Sequence, residues 1–212
     1  MWKLFAVLVL SAIAVSAQPT PMSPELRAFV MRPDVKKAVI SAMTQQWRAL
    51  TPECAEPQIK QMNVLIIEAP VFDSDGNPTR GAWKMVGQLE GCGQTKVMNL
   101  RYGFGKDGKL TLGMMLPGTT HADPLLQRDA LLHARMAMVS LAPKDCKESA
   151  VIDTRFLKYG EAIPNARPGF ETRSWLEEWT VKACGVVGTV GIRFIPDATG
   201  TTISAEMAKA QQ

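Results

Sequence analysis

The sequence predicts an α+β fold of two tandem homologous units, each a helix packed on a small antiparallel sheet and closed by one disulfide. Cys54 and Cys92 lie 38 residues apart, as do Cys146 and Cys184, and a shift of 92 residues superimposes the two pairs. The same shift aligns two W-x8-C-G stretches. In both halves, a segment with helical periodicity precedes segments with the alternation of β-strands. Together these observations indicate an internal duplication.

The shift aligns further residue pairs, namely Trp83 with Trp175, Gly93 with Gly185, Arg101 with Arg193 and Gly108 with Gly200. Four cysteines in an exported chain predict two disulfides, for which three pairings are possible. The equal spacing favours Cys54 with Cys92 and Cys146 with Cys184, because each copy of a duplicated unit should carry its own crosslink. Closing each loop contributes about 4 kcal/mol in the chain-entropy model.

Residues 1–17 have the features of a secretory signal peptide. Lys3 precedes an apolar run from Leu4 to Val15, and small residues lead to predicted cleavage before Gln18. The alternative is a buried N-terminal helix, which the Gln18-Pro-Thr-Pro stretch disfavours. The rest of the chain has no run near the roughly 20 apolar residues of a membrane helix. We therefore expect a periplasmic or secreted protein without a transmembrane segment in its mature chain.

The first unit is predicted to span residues 18–116. Ser23 and Pro24 open a short helix, and apolar spacing predicts a second helix over residues 34–49. The β-branched run Gln61–Glu68 predicts a largely buried strand. Three further segments alternate or turn as strands do, namely 83–90, 98–104 and a return strand from Leu110 after the Asp107-Gly108 hairpin turn.

The second unit is predicted to span residues 117–205. Asp123 caps a helix whose apolar stripe contains Leu126, Ala130, Leu131, Ala134, Met138 and Val139. Strands are then predicted at Val151–Tyr159, Trp175–Ala183, Val187–Ile195 and Thr201–Ser204, with a loop at Pro164–Gly169. The polar, alanine-rich tail 206–212 is expected to fray.

The repeated Trp and Cys-Gly positions predict a structural role. Trp83 and Trp175 are interpreted as core anchors, the alternative being exposed aromatic platforms for a ligand. Nine residues separate each Trp from its Cys, so an unbroken strand would place the two on opposite faces. The following glycine permits positive φ, which favours a bulge or a turn at the cysteine.

Glu177 is the main candidate for chemistry. It lies between Trp175 and Trp179 on the parity that faces the core, where the first unit has Met85. A carboxyl group against two indoles suits a general acid or a cation site. The alternative, which we favour from the sequence, is a solvated Glu177 at an exposed strand edge.

Arg101 and Arg193 occupy equivalent positions, so their guanidinium groups are candidates to converge on an anion. The alternative is that each lies on a solvated sheet face. The net charge is +4 with scattered basic residues, which gives nucleic-acid binding no support.

No cofactor or metal site is predicted. His121 and His133 stand twelve residues apart across a helix start, too far to share a zinc ion. The stretch Asp73–Pro78 lacks the distal Glu of a calcium loop and predicts a plain turn. Motifs for serine hydrolases, phosphate loops and dinucleotides are also missing from the sequence.

The stretch Trp175-Leu-Glu-Glu-Trp-Thr-Val-Lys-Ala-Cys-Gly resembles the C-terminal part of small exported bacterial proteins of unknown function that carry a W-x-E-x-W-x-V-x-x-C-G pattern. The resemblance covers about 30 residues of the chain, as far as Thr202. It implies an envelope location and no particular activity.

The function predicted from the sequence is a non-catalytic module that binds a protein or an envelope component. Trp175, Glu177, Trp179, Arg101 and Arg193 are the candidate binding residues. One alternative is a periplasmic hydrolase with Glu177 as acid or base and Arg193 as electrophilic help. A third possibility is an inhibitor or immunity-type protein with one tight protein partner.

Overall fold

The computed structural model describes residues 22–54, 56–164 and 171–210. Within these residues the chain forms an α+β fold with two antiparallel sheets. The helices are α1 (Pro24–Met31), α2 (Pro33–Leu50) and α3 (Pro124–Ala137), which a 3₁₀ turn at Met138–Ser140 extends. The strands are β1 (Gln58–Phe72), β2 (Pro78–Gly91), β3 (Gln94–Phe104), β4 (Leu110–Met114), β5 (Ser149–Ala162), β6 (Arg173–Ala183), β7 (Val186–Pro196), β8 (Thr201–Ala205) and β9 (Lys209–Ala210).

The first sheet has the strand order β1-β2-β3-β4, and all its neighbours are antiparallel. One hydrophobic cluster joins its inner face to α1 and α2. Phe29 of α1 meets Trp83 edge-to-face, and Trp83 stacks on Tyr102 with ring centroids 5.1 Å apart. Trp47 and Trp83 are fully buried, so the interpretation of Trp83 as a core anchor is confirmed.

The second sheet has the order β5-β6-β7-β8, and β9 also pairs with β7. A separate hydrophobic cluster joins α3 to this sheet. The buried positions of α3 include Ala130, Ala134 and Ala137, whose small side chains let the helix approach the sheet closely. Trp175 stacks on Phe194 at 4.7 Å and is buried, so it too is a core anchor.

Two helices begin at the caps that the sequence predicts. The Ser23 hydroxyl accepts a hydrogen bond from the Leu26 amide, and the Asp123 carboxylate accepts from the amides of Leu125 and Leu126. Proline occupies the first helical position in both, where the missing N–H costs nothing. The Asp73 turn is likewise closed by its own carboxylate, which accepts from two backbone amides.

The Cys-Gly pairs form two-residue hairpin turns. Gly91 pairs with Gln94 across the first turn and Ala183 with Val186 across the second. φ is +47° at Cys92 and +45° at Cys184, and it is also positive at the glycine that follows each. Positive φ at both central positions matches the twist of a β-hairpin. Of the two predicted possibilities, a bulge or a turn, the structure therefore has the turn.

The disulfides join Cys54 to Cys92 and Cys146 to Cys184, as predicted. Each therefore links the segment ahead of a sheet's first strand to a hairpin turn of that sheet. The predicted α+β class with antiparallel sheets is also confirmed. In the described part of the chain, no helix has the length and apolar character needed to cross a membrane.

Two predictions about individual segments are wrong. β1 is not largely buried, because it is an edge strand whose outer face is uncovered. Val139 is 74% exposed rather than part of the core stripe, because the helix has tightened to a 3₁₀ turn there. In the tail, Lys209 and Ala210 pair with β7. Predicted features at 1–17, most of the Pro164–Gly169 loop and 211–212 lie outside the described residues.

Candidate functional site

Glu177 is fully buried and accepts three hydrogen bonds. Its Oε1 accepts from the indole Nε1 of Trp175 at 2.9 Å and from the backbone amide of His121 at 2.8 Å. Its Oε2 accepts from the indole Nε1 of Trp179 at 2.7 Å. The alternation of β6 places all three side chains on the inner face, where the segment before α3 covers them.

The favoured interpretation of Glu177 as a solvated residue is therefore wrong. Its exposed fraction is 0%, because the chain around His121 closes over the strand. Both oxygens of this carboxylate are engaged by N–H donors, and neither is accessible from solvent. In this structure Glu177 stabilises the surrounding segments rather than forming the wall of an open site.

The corresponding position of the first sheet lacks this arrangement. Met85 lies beside Trp83 there, and the buried Nε1 of Trp83 has no hydrogen-bond partner among the described residues. Gly87 stands where the second sheet has Trp179, and the Met43 side chain of α2 fills the space above it. Among the residues that the structure describes, Glu177 is thus the one buried side chain of a charged type.

The buried carboxylate influences charged groups from both halves of the chain. Burial lowers the pKa of Lys84, on β2 of the first sheet, and the negative charge of Glu177 partly opposes that shift. Burial also lowers the pKa of His121. The negative charge of Glu177 raises this pKa, the positive charge of Lys84 lowers it, and the negative charge of Glu171 raises it. A side chain of the first sheet therefore lies close to the Glu177 region of the second.

His121 presents its ring to an aromatic group on β5. The imidazole stacks on Phe156 with centroids 4.0 Å apart, and its Nδ1 lies 2.9 Å from the Tyr159 hydroxyl. The guanidinium of Arg173 lies over the other aromatic ring, 3.6 Å from the Tyr159 centroid. Because Glu177 holds the His121 backbone, it also positions this group.

The segment 115–123, called the linker below, connects the two halves. Of the seven buried polar side chains among the described residues, six bond to the linker or belong to it. Those six are Gln46, Asn99, Thr120, Gln127, Thr154 and Glu177. Buried polar groups in one continuous set favour a single arrangement of the backbone that they bind. These bonds therefore fix the course of the linker backbone.

The linker lies between the edges of the two sheets. On one side, the Met115 amide donates to the Asn99 carbonyl and the Gly118 amide to the Val97 carbonyl, both on β3. On the other side, the Thr119 amide donates to the Thr154 carbonyl of β5 at 2.7 Å. The two sheets are thus joined through one shared stretch of backbone.

Gly118 is required at the centre of this junction. Its φ is +95°, a region that L side chains rarely adopt, and a Cβ built there would collide with the Thr154 backbone. The Thr154 hydroxyl donates to the Pro117 carbonyl at 2.6 Å and accepts from the Thr120 amide. The close approach of linker and β5 thus depends on a residue without a side chain.

A cleft of about 500 Å³ opens beside the linker, between the start of α3 and the β7–β8 turn. His121 and Trp175 form part of its wall. Its carboxylates are Asp123, Asp129, Glu171 and Asp197, and none of its described lining residues is Lys or Arg. The lining of the cleft is therefore acidic, with Arg128 and Arg173 paired to two of its carboxylates.

Asp197 has the most strongly held carboxylate of the four. Hydrogen bonds from the Thr199 hydroxyl and amide and from the Gly200 amide lower its pKa to about 2. Asp123 is engaged with the α3 amides, the exposed Asp129 pairs with Arg128, and the half-buried Glu171 pairs with Arg173. The turn at Asp197 is thus permanently anionic at neutral pH.

The two aligned arginines lie in different surroundings. Arg101 folds over Gly103 of its own strand, where a Cβ would meet its guanidinium. Arg193 is exposed and lines a shallow pocket with Tyr159 and Ser174. Of the predicted binding residues, only Trp175 lines the acidic cleft, while Glu177 and Trp179 lie beneath it.

Sequence reasoning missed the linker and the cleft. Gln46 and Thr154 stand next to other polar residues in the sequence, namely Gln45, Asp153 and Arg155, so no local signal marks them as buried. Asp123 and Asp129 belong to the start of α3, whereas Glu171 and Asp197 come from two other segments, so no single spacing in the sequence connects all four cleft acids. Comparison of the chain with protein-family models, with curated proteins and with solved structures gave no match.

Proposed function

We propose that the protein is an exported, non-catalytic binding module that holds a positively charged group of a protein or envelope component in the acidic cleft. The observation that carries the proposal is the charge of the cleft, which has four carboxylates and no Lys or Arg among its described lining residues. Complementary charge steers and orients a partner more than it adds raw affinity.

The remaining lining supports a cation rather than a neutral ligand. Burial lowers the pKa of His121, which favours the neutral ring and so reduces repulsion of a cation. An aromatic ring close to an ammonium or guanidinium group adds attraction through its electron-rich face. A lysine or arginine side chain of a partner protein fits these requirements.

Export and internal duplication are part of the same proposal. The signal-like residues 1–17 and the two disulfides support an oxidising compartment, such as the periplasm or the exterior. The matched disulfides, matched hairpin turns and separate hydrophobic clusters support two tandem homologous units, each a helical segment packed on a sheet. The role of Glu177 in this proposal is structural, which leaves the hydrolase alternative without its acid or base.

A tetra-lysine peptide provides the first test. We expect it to bind in isothermal titration at low salt and to shift backbone NMR signals of Asp129, Glu171 and Asp197. The double variant Asp129→Asn/Glu171→Gln should weaken binding of the peptide by about fivefold, because two carboxylates of the cleft lose their attraction for its ammonium groups. The matched control is Glu178→Gln, which removes one carboxylate from the opposite face of β6. Equal affinity of the double variant and the wild type would contradict the proposal.

A further inference from the structure

The outer face of α3 carries a row of exposed apolar side chains. Leu132, Met136 and Val139 are 62%, 63% and 74% exposed. They follow one another at intervals of four and three residues, so they lie on one side of the helix and of the 3₁₀ turn that extends it. The opposite side of α3 is buried against the second sheet. A helix that is apolar on both sides is normally covered on both sides.

The end of this row opens into a hollow of about 440 Å³, called the basic hollow below. Met136 and Val139 line it together with Arg135, Lys144 and Lys147, and none of its described lining residues is Asp or Glu. The three cations are exposed, and no carboxylate of the described residues forms an ion pair with them. Positive charge and exposed apolar surface thus occur side by side.

The loop that supplies the two lysines is tied to the second sheet. Cys146, which also lines the basic hollow, is joined to Cys184 in the hairpin turn after β6. The Cys146 amide also donates to the Pro143 carbonyl at 3.0 Å. The acids of this loop, Asp145 and Glu148, are exposed but do not belong to the lining. The crosslink therefore holds the lysines beside the apolar row of α3.

From this combination we infer that the protein docks on an anionic phospholipid surface through the outer face of α3 and the basic hollow. Leu132, Met136 and Val139 enter the boundary between headgroups and acyl chains, while the three cations contact lipid phosphates. An apolar helix face accompanied by Lys and Arg binds anionic bilayers through these two contributions. Long basic side chains keep their charge at the headgroups while their stems lie against apolar surface.

The composition favours a lipid surface over a protein partner. Lysine is depleted at protein–protein interfaces, whereas two of the three cations of the basic hollow are lysines. Anionic lipids attract each Lys or Arg close to the surface. The acidic cleft shares no described lining residue with the basic hollow and lies at the other end of α3. The docking surface therefore does not rest on the function proposed for the cleft.

Flotation with vesicles tests the charge contribution. At about 50 mM salt, we expect the protein to float with vesicles of equal parts phosphatidylglycerol and phosphatidylcholine, but not with phosphatidylcholine alone. Lys144→Gln/Lys147→Gln should lower the partition coefficient about thirtyfold, because two attractive charges are lost. The matched control Lys106→Gln/Lys109→Gln removes two exposed lysines from the β3–β4 turn and should lower it less than about threefold. All variants share one N-terminus, so residues 1–17, where they are retained, contribute equally.

The same assay tests the apolar contribution. Met136→Gln should lower the partition coefficient about fivefold, because less apolar surface enters the bilayer. Met31→Gln is the matched control, since Met31 is an exposed helical methionine of the first unit and should leave flotation unchanged. In anionic nanodiscs that contain a spin-labelled lipid, backbone NMR signals of residues 132–139 and 144–147 should broaden more than those of 106–109. Thermal unfolding checks that each variant folds.

Absence of flotation with the anionic vesicles would overturn the inference and leave the basic hollow to an acidic segment of another protein. Equal weakening by the two double-lysine variants, or unchanged flotation of Met136→Gln, would overturn this docking surface. The cleft variant Asp129→Asn/Glu171→Gln should float as the wild type does. Failure of docking is therefore distinguishable from failure of peptide binding in the cleft.

Discussion

The Glu177 carboxylate accepts a hydrogen bond of 2.8 Å from the backbone amide of His121, which lies 56 residues earlier in the sequence. This bond joins the middle of β6 to the end of the linker. It also explains why a charged residue occupies a core position. The carboxylate has three donors to satisfy, two from indoles and one from the backbone, and only an acceptor with two oxygens reaches them all.

Replacing Glu177 by glutamine should destabilise the protein by about 2–4 kcal/mol, because the new amide N–H₂ faces one of the N–H donors. Glu177→Met, which introduces the residue found at position 85, should cost at least as much, since all three donors lose their acceptor. Urea unfolding followed by tryptophan fluorescence measures both. Glu178→Gln, which removes only the exposed pair with Arg155, should cost less than about 1 kcal/mol. Equal losses for positions 177 and 178 would contradict this account.

Gly118→Ala should cost about 3 kcal/mol or more, or prevent folding, because the Thr154 backbone has no room for a Cβ and φ is positive. Gly200→Ala is the matched control. A Cβ at Gly200 meets nothing within 4 Å, so its unfolding free energy should change by less than about 0.5 kcal/mol. Chemical denaturation measures the free energy of unfolding of both variants. Similar values would rule out the close approach of Gly118 to the Thr154 backbone.

His121 should make stability fall on mild acidification. Its pKa is lowered in the folded protein, so the unfolded chain takes up the proton first as pH drops below 6.5. The contribution of His121 to the free energy of unfolding is complete above pH 6.5 and declines as the pH falls toward the pKa of His121 in the folded protein. Unfolding free energies of wild type and His121→Asn, measured at about pH 7.5 and about pH 5, should therefore converge or cross at the lower pH. A constant difference between the two proteins would argue against this placement of His121.

Removing the second disulfide with Cys146→Ser/Cys184→Ser should lower the unfolding free energy by about 4 kcal/mol, since a long loop is no longer closed in the unfolded chain. The same double change at Cys54 and Cys92 should cost a similar amount, because the separation is 38 residues in both pairs. Urea titration of the two variants provides the comparison. A loss confined to one pair would show that the two loops do not contribute alike.

The sequence predicted those features that depend on local chemistry. Ser and Asp cap a helix when they stand directly before an amphipathic segment, as Ser23 and Asp123 do here. A Cys-Gly pair between two segments of alternating polarity forms a hairpin turn. The disulfide pairing followed from equal spacing alone. These features need no knowledge of the neighbouring elements.

The features that sequence reasoning missed depend on tertiary neighbours. Glu177 has an inward parity, but whether water reaches it depends on a segment 56 residues away. The apolar composition of β1 suggested burial, and only the strand order places it at an edge. The tail at Lys209 pairs with β7 because β8 is short and leaves part of that edge open.

Hydrogen exchange of the His121 backbone amide tests the central claim most directly, namely that Glu177 binds the linker to the second sheet. We predict that this amide exchanges as slowly as those of the β6–β7 core, although His121 as a whole residue is solvent-accessible. In Glu177→Met the protection should fall at His121 and its neighbours in the linker. A His121 amide that exchanges as fast as a surface loop such as Lys106 in the wild-type protein would contradict the account.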